Sequence, residues 1–558
     1  MNFKGKIIAV IAALTLMFAA SGCSGGKGGK CENTNEPDVD IAVPNYDVSD
    51  MFTTRDLSDG YAKVYNESEN AKITLGGSSI SCSDPGVSVA GRVATLTRDG
   101  VYEISGNLTD GRIVVDVGKL EKVQIILKNA NISCSTSAAL YVKQADKVFV
   151  TLDNGTTNSL KTTGDFVAVD SNKIDGAVFS KEDISFGGGG ALTVSTANGN
   201  GIVCKKDLKI TNGTLSVTAT KHAIEAKNSV RIAGGNVTVN AGTDGVHVEN
   251  VDKADKGYFF SMGGKLNITS DSNGIDAEVG MQIDGGEFTV KSGSKSIKCS
   301  AGIAINDGKF DIDSMNDGIS AGGNLKYRKA TATIKCADDG VHASGDFAIT
   351  SGKIEVTESY EGIEANSLYF AGGEVKITSS DDGINAAGGV DNSGNGGMDG
   401  GAGSFKAAVA RPTVKISGGK ITINSRGDGI DANGDVIVSG GETYISASPA
   451  SDDAPLDYDA TATITGGTFI AVGGRGMAKN FGSSSTQGSI LYNFSALSSG
   501  DVTLKDSAGK LIAKFAPPKQ YNSVLVSCPK IAKGKTYTLG ACGQTESVTM
   551  QSLIYTNA

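Results

Sequence analysis

Between residues 200 and 430 a short pattern, Asp-Gly-Ile-x-Ala in its fullest form, recurs around Ile202, Ile224, Val246, Ile275, Ile297, Ile319, Val341, Ile363, Ile384 and Ile430. Two positions ahead of these apolar residues stand, in order, Asn200, His222, Asp244, Asn273, Lys295, Asp317, Asp339, Glu361, Asp382 and Asp428. Further acids flank that position: Asp338 and Asp381 on one side, and Glu225, Asp276, Glu364 and Asp431 on the other. If each repeat is one coil of a stack, equivalent residues lie about 4.8 Å apart, the spacing of neighbouring strands. Carboxylates at that distance repel by roughly 3.5 kcal/mol per pair at an effective dielectric of 20. Protons, water or bound cations can relieve this, and an oxygen-only ligand set suits calcium. The predicted ligands are Asp244, Asp276, Asp317, Asp338, Asp339, Glu361, Glu364, Asp381, Asp382, Asp428 and Asp431.

Turn chemistry explains the same column without metal. Asp and Asn before Gly close tight turns because they tolerate left-handed backbone and bond their own main chain. The pairs Asp338-Asp339 and Asp381-Asp382 lean toward a cation, since a turn needs only one acid. Lys295, in the same column, would act as a built-in cation. Both readings stay open on the residues alone.

Other chemistry is thin. His222, His247 and His342 fall in or beside the turns and read as turn or surface histidines, with no Cys/His cluster for a softer metal. No nucleophile elbow is present. Lys295 and Lys298 are conceivable bases, but neighbouring carboxylates raise a lysine's pKa, the wrong direction for proton abstraction. There is no Trp, so ring stacking on a sugar would fall to Tyr258, Tyr327, Tyr360, Tyr369 and Tyr444.

The elements that must position these residues follow from the spacing. Most steps between the central apolar residues are 22 residues; the last is 46, close to two coils with an insertion. A Gly-Gly-x-apolar-x-apolar pattern, as in Gly234-Gly235-Asn236-Val237-Thr238-Val239, runs in phase with them. Apolar residues alternate within each coil, which puts them on one face of short strands with glycine at the corners. The predicted fold is all-β: a right-handed parallel β-helix with coils of about 22 residues over 71–490, a loop insertion at 388–412, and a small β cap over 491–558.

Ahead of the solenoid, residues 1–22 read as a signal peptide, with Lys4 and Lys6 before the apolar run Ile7–Ala20. The run ends Ala20-Ser21-Gly22-Cys23, which resembles a lipobox with Cys23 lipidated; an ordinary leader with an incidental cysteine is the alternative. Residues 23–70 are expected to be the anchor and a flexible linker. The protein would then sit on the extracellular side of the cell envelope, touching the membrane through that anchor only. Cys528 and Cys542 flank an expected hairpin and form the favoured disulfide pair; Cys204, Cys299 and Cys336 fall where other coils carry Ala or Ser, and read as core residues.

With 51 Lys and Arg against 61 Asp and Glu, and 76 Gly among 558 residues, the chain is acidic and rich in turns. It has no basic stripe, which argues against nucleic acid, and a monomer is expected.

The chain resembles a clostridial-type family of carbohydrate-binding domain-containing surface proteins, right-handed β-helices related in fold to pectate lyases. The resemblance rests on Gly100-Val101-Tyr102-Glu103-Ile104-Ser105-Gly106, Gly111-Arg112-Ile113-Val114-Val115, Ala145-Asp146-Lys147-Val148-Phe149-Val150-Thr151-Leu152, Asp175-Gly176-Ala177-Val178-Phe179-Ser180-Lys181-Glu182-Asp183 and the Asp-Gly-Ile turns. It implies binding of a polysaccharide of plant cell-wall type, cellulose or polygalacturonate, with calcium on turn acids matching Asp244, Asp317, Asp339, Asp382 and Asp428. The chain departs from that pattern at His222-Ala223, Asn273 and Lys295-Ser296. Two other functions remain: a calcium-dependent polysaccharide lyase, and an adhesin or spacer that displays a surface.

Overall fold

The computed structural model describes residues 39–58, 70–250, 252–253, 255–387 and 411–557. The expected leader, Cys23 and nearly all of the glycine-rich insertion lie outside them. The described chain is a β-solenoid of about 15 turns and about 23 residues per turn, with a small antiparallel sheet at its C-terminal end.

One coil shows how the sequence builds the others. Ile275–Ala277 is a short strand, and Gly280–Ser292 runs along the other two faces, turning a corner at Gly286 with φ 120°. Ile275, Ala277, Met281, Ile283, Phe288 and Val290 point inward and are at most 1% exposed. Each large apolar side chain so buried contributes about 1.5–3 kcal/mol. Pairing is parallel and in register: Ile275 faces Ile297, Ala277 faces Cys299, and Phe288 faces Phe310. The two Phe rings stack 4.8 Å apart at 8°. A Cβ on Gly264, at the equivalent corner with φ 87°, would stand 2.9 Å from the carbonyl carbon of Gly234. Only glycine suits that corner, which is why the Gly-Gly pairs keep phase with the coils.

The short strands join into a parallel sheet in which Ile202, Ile224, Val246, Ile275, Ile297, Ile319, Val341, Ile363, Ile384 and Ile430 form one continuous column. The register corrects one expectation. Ile384 pairs directly with Ile430, so the 46-residue step is a single coil carrying the insertion, not two coils.

A second correction concerns the expected flexible linker 23–70. Its residues 39–58 lie along the outside of the solenoid and are held at many points. Lys326 donates to the Val39 carbonyl, Asn324 to that of Ala42, and Gln282 accepts from Tyr46 N. Tyr46 stacks on Tyr258 at 4.4 Å. The strap ends on Asp56, 1% exposed, which is ion-paired to both Lys147 and Lys209 and closes a capping box with Thr53. These paired lysines, with hydrogen bonds from Thr53, hold the Asp56 carboxyl well below the usual range against the opposing effect of burial. Sequence periodicity could not show this docking, because the strap has no repeat of its own.

At the C-terminal end the last parallel strand, Thr468–Gly473, pairs antiparallel with Tyr521–Ser527. That strand pairs in turn with Ser489–Ser498, which runs through the boundary expected at 490/491. Val502–Lys505, Leu511–Phe515, Thr536–Ala541 and Gln544–Thr549 form the small sheet. Cys204, Cys299 and Cys336 are buried core residues, as expected. Cys528 and Cys542 are separate buried thiols and not the expected disulfide. Cys542 sits in a turn at φ 51° and its Sγ contacts the Tyr521 carbonyl at 3.2 Å, whereas Cys528 follows the end of the Tyr521–Ser527 strand.

Candidate metal-binding face

The short-strand sheet carries two polar columns. One is the turn position two residues before the central Ile or Val. The other is the residue just after it, which alternation turns away from the core. In this second column Glu225, His247, Asp276, Lys298, Ser320, His342, Glu364, Asn385 and Asp431 succeed one another in strict register.

The turn column divides into two chemical kinds. Asn200, Asp244, Asn273, Asp382 and Asp428 each spend one side-chain oxygen on the backbone N–H of the next coil, at His222, Asn273, Lys295, Asp428 and Ala454 respectively. These bonds, 2.6–3.2 Å long, are the turn-closing role. Asp317 and Asp339 do otherwise. Asp317 is 0% exposed, lies 2.9 Å from Lys295 Nζ as an ion pair, and accepts no aligned hydrogen bond at either oxygen among the described residues. Asp339 faces His342 Nδ1 at 3.1 Å.

In the coils up to Lys295 every predicted acid has a compensating neighbour. Asp244 lies between His222 and His247, at 3.2 and 3.1 Å. Asp276 accepts from Asn273 and pairs with Lys298 at 3.1 Å. Glu225 takes Asn200 and Lys205. Beyond Asp317 the acids crowd. Asp339, Glu361 and Glu364 are 1–2% exposed, and Glu364 Oε2 lies 3.5 Å from His342 Nδ1. Neither oxygen of Glu364 has a hydrogen-bond donor among the described residues. Asn385 donates to Glu361, and Asn316 to Asp338. Gly427 packs so close to Asp381 and Asp382 that a Cβ there would come within 2.4–2.5 Å of their carboxylate oxygens.

The electrostatics follow this crowding. Burial, and then Asp317, Glu364 and Glu361, drive Asp339 well above the ordinary carboxylate range, although His342 opposes the shift. Burial and the Asp428 charge push Asp382 up to about 8, while burial and Asp431 push Asp428 up to about 7. Burial works against the His342 imidazolium, but Asp339 and Glu364 prevail and leave it pushed up to about 10.

Three groups among the described residues gather one ligand atom each within 4.8 Å: His222, Asp244 and His247; Asp339, His342 and Glu364; and Asp428, Asp431 and Asp457. Sequence reasoning supplied the acids but not the histidines, nor Asp457. The expectation that no histidine cluster is present is therefore corrected. The missed signal lay in setting the two columns side by side, since His222 belongs to one and His247 to the other. Of the proposed stacking tyrosines, Tyr327 is fully buried with its hydroxyl on the Lys353 carbonyl, and Tyr258 lies under the strap. Tyr360, Tyr369 and Tyr444 stay partly exposed.

The fold and this face define a parallel β-solenoid with an acid-lined side. A family model described as "Carbohydrate-binding domain-containing protein" matches residues 90–362. A protein of the same description from Acetivibrio thermocellus is 39% identical over 212 residues, covering 37% of this chain and 74% of the relative. The chain belongs to this family of carbohydrate-binding domain-containing proteins. A solved structure of a "polysaccharide lyase-like protein from C. thermocellum", a gadolinium derivative, is 35% identical, with 42% of this chain and 96% of that one covered at a TM-score of 0.41.

Proposed function

We propose that the protein is a cell-surface lipoprotein, anchored through Cys23, which binds an acidic polysaccharide such as polygalacturonate through calcium held on the crowded end of this face. The observation that carries the reading is the buried run Asp317, Asp339, Glu361 and Glu364, where neither Glu364 oxygen has a hydrogen-bond donor among the described residues and Asp317 shares the single Lys295 ammonium. Burying ionised carboxylates is costly unless they are paired, and a hard divalent ion with oxygen ligands supplies the pairing. Calcium there would neutralise the acids and bridge to uronate carboxylates. Membership of the carbohydrate-binding family supports a sugar ligand. Cellulose is the neutral alternative ligand.

Binding without catalysis fits the lysines better. Lys295 and Lys298 are engaged with Asp317 at 2.9 Å and Asp276 at 3.1 Å, so neither ammonium stands free to face a substrate. The test is affinity electrophoresis of the full chain in gels holding polygalacturonate, cellulose or xylan, with and without chelator. Retardation by polygalacturonate that chelator abolishes is expected. Retardation indifferent to chelator removes calcium, and no retardation leaves a display or spacer role. Ultraviolet absorbance from unsaturated uronate products would turn the reading to a lyase. Release of the protein from cells by lipoprotein-specific lipase checks the anchor.

A further inference from the structure

We infer that His222, Asp244 and His247 form a site for a zinc-type transition-metal cation, three coils away from the crowded acids. Three coils correspond to about 14 Å along the stack. The inference does not depend on the calcium or glycan reading.

Two imidazoles stack face to face at 4.4 Å and 21°, so that both Nδ1 atoms approach one oxygen, Asp244 Oδ2, at 3.2 and 3.1 Å. Around a tetrahedral ion with bonds of about 2.0–2.1 Å, ligand atoms stand roughly 3.3 Å from one another. The two nitrogen–oxygen separations therefore match such a shell, and all three ligand atoms lie within 4.8 Å of one another. They are also held there. Asp244 Oδ1 accepts from the Asn273 backbone N–H at 2.9 Å, which fixes the direction of Oδ2. Thr243 Oγ1 lies 3.1 Å from His222 Nδ1.

The second observation is the setting of His247. Its Nδ1 is buried and makes no aligned hydrogen bond among the described residues, although Asp244 Oδ2 lies 3.1 Å away. Its Nε2 lies 3.4 Å from Glu249 Oε2, an acceptor only. Burial disfavours the imidazolium, but Asp244 pushes its pKa up to about 9, so in the metal-free protein a proton stands between ring and carboxylate, and a bound cation takes that place. A carboxylate on the far nitrogen is the usual support of a metal-bound histidine.

Two imidazole nitrogens and one carboxylate make a set softer than the oxygen-only acids and select zinc, nickel or copper over calcium. Three protein ligands leave a fourth position open. The histidines border a cleft of about 350 Å³ that Lys205, Glu225, Lys227 and Glu249 also line.

The test uses the full chain loaded with zinc, then passed through gel filtration in calcium buffer, and separately titrated with cobalt(II). One zinc per chain retained, and the intense visible bands of tetrahedral cobalt, are expected. His222→Asn places in this turn the residue that Asn200 and Asn273 supply in other coils, so it should fold normally. It and His247→Asn should weaken zinc by at least about 100-fold, and Glu249→Gln, a positioning change, by about 10-fold. Cobalt spectra no stronger than those of the aqueous ion would overturn the inference. So would zinc retention unchanged in both histidine variants, or lost only in His342→Asn. In those cases the two imidazoles hydrogen-bond a bare carboxylate.

Discussion

The same face of one solenoid is built in two ways. From Asn200 to Lys298, each carboxylate meets an amide, an imidazole or an ammonium in the next coil or the neighbouring column. From Asp339 to Asp457, carboxylate follows carboxylate, with His342 between Asp339 and Glu364, and Lys479 on Asp457 at the far end. The short strands keep one register through both regions, so the side chains they carry, with those of the turns before them, make the difference. A repeated turn therefore does not have a repeated environment: partners meet its acids one by one in the first region, and in the second the acids crowd against one another even where, as at Asp382 and Asp428, they also close the turn.

The junction between the regions is Lys295 on Asp317, and breaking it should have the largest effect. Lys295→Met removes a cation from the fully buried Asp317 carboxylate. Breaking a buried pair from one side costs about 3 kcal/mol. Chemical denaturation in chelator should show that loss. Calcium should recover part of it, because the altered coil then joins the crowded acids.

Calcium itself comes next. At 100 times its dissociation constant a ligand stabilises by about 2.7 kcal/mol. Thermal melts in calcium against chelator should differ accordingly for the wild type, and much less for the Asp339→Asn/Glu364→Gln double variant. Protons test the same repulsion. Asp382 and Asp428, at about 8 and about 7 when folded, lie above their ordinary 3.8. Folding takes up protons there, so in chelator the contribution of these two acids is full below about pH 4 and is lost as pH rises through about 7 and 8. Calcium should flatten this slope, since the ion replaces the protons.

Much of this contrast was legible in the sequence. The 22-residue spacing placed Asp317, Asp339, Glu361 and Asp382 in one column, and parallel register requires just that. It also marked Lys295 as the internal cation. What spacing could not give was the content of an open shell. Whether Asp382 caps Asp428 N or Asp317 caps nothing depends on side-chain rotamers, not on period. The strap from Val39 to Asp56 was invisible for another reason: its partners Lys147, Lys209, Gln282 and Lys326 lie 91 to 287 residues away. The 46-residue step misled because a long insertion in one coil and a missed coil give similar spacing.

The smallest expected effect asks whether one region can be turned into the other. Asn273 gives its amide to Asp276 at 3.1 Å and takes the Lys295 N–H at 3.2 Å, so it both closes a turn and relieves an acid. Asn273→Asp keeps the acceptor for the turn and withdraws the donor. Three carboxylates, at 244, 273 and 276, would then adjoin, with Lys298 still paired to Asp276. The loss of one such hydrogen bond, with a charge left in its place, costs about 1–2 kcal/mol. Melts in chelator should show that drop, and calcium should now stabilise the variant more than it stabilises the wild type. If the calcium increment does not grow, crowding of carboxylates is insufficient to make a cation site, and the distinction between the two regions must lie in burial, which is deeper at Asp339 and Glu364 than at Asp276, whose side chain is 13% exposed.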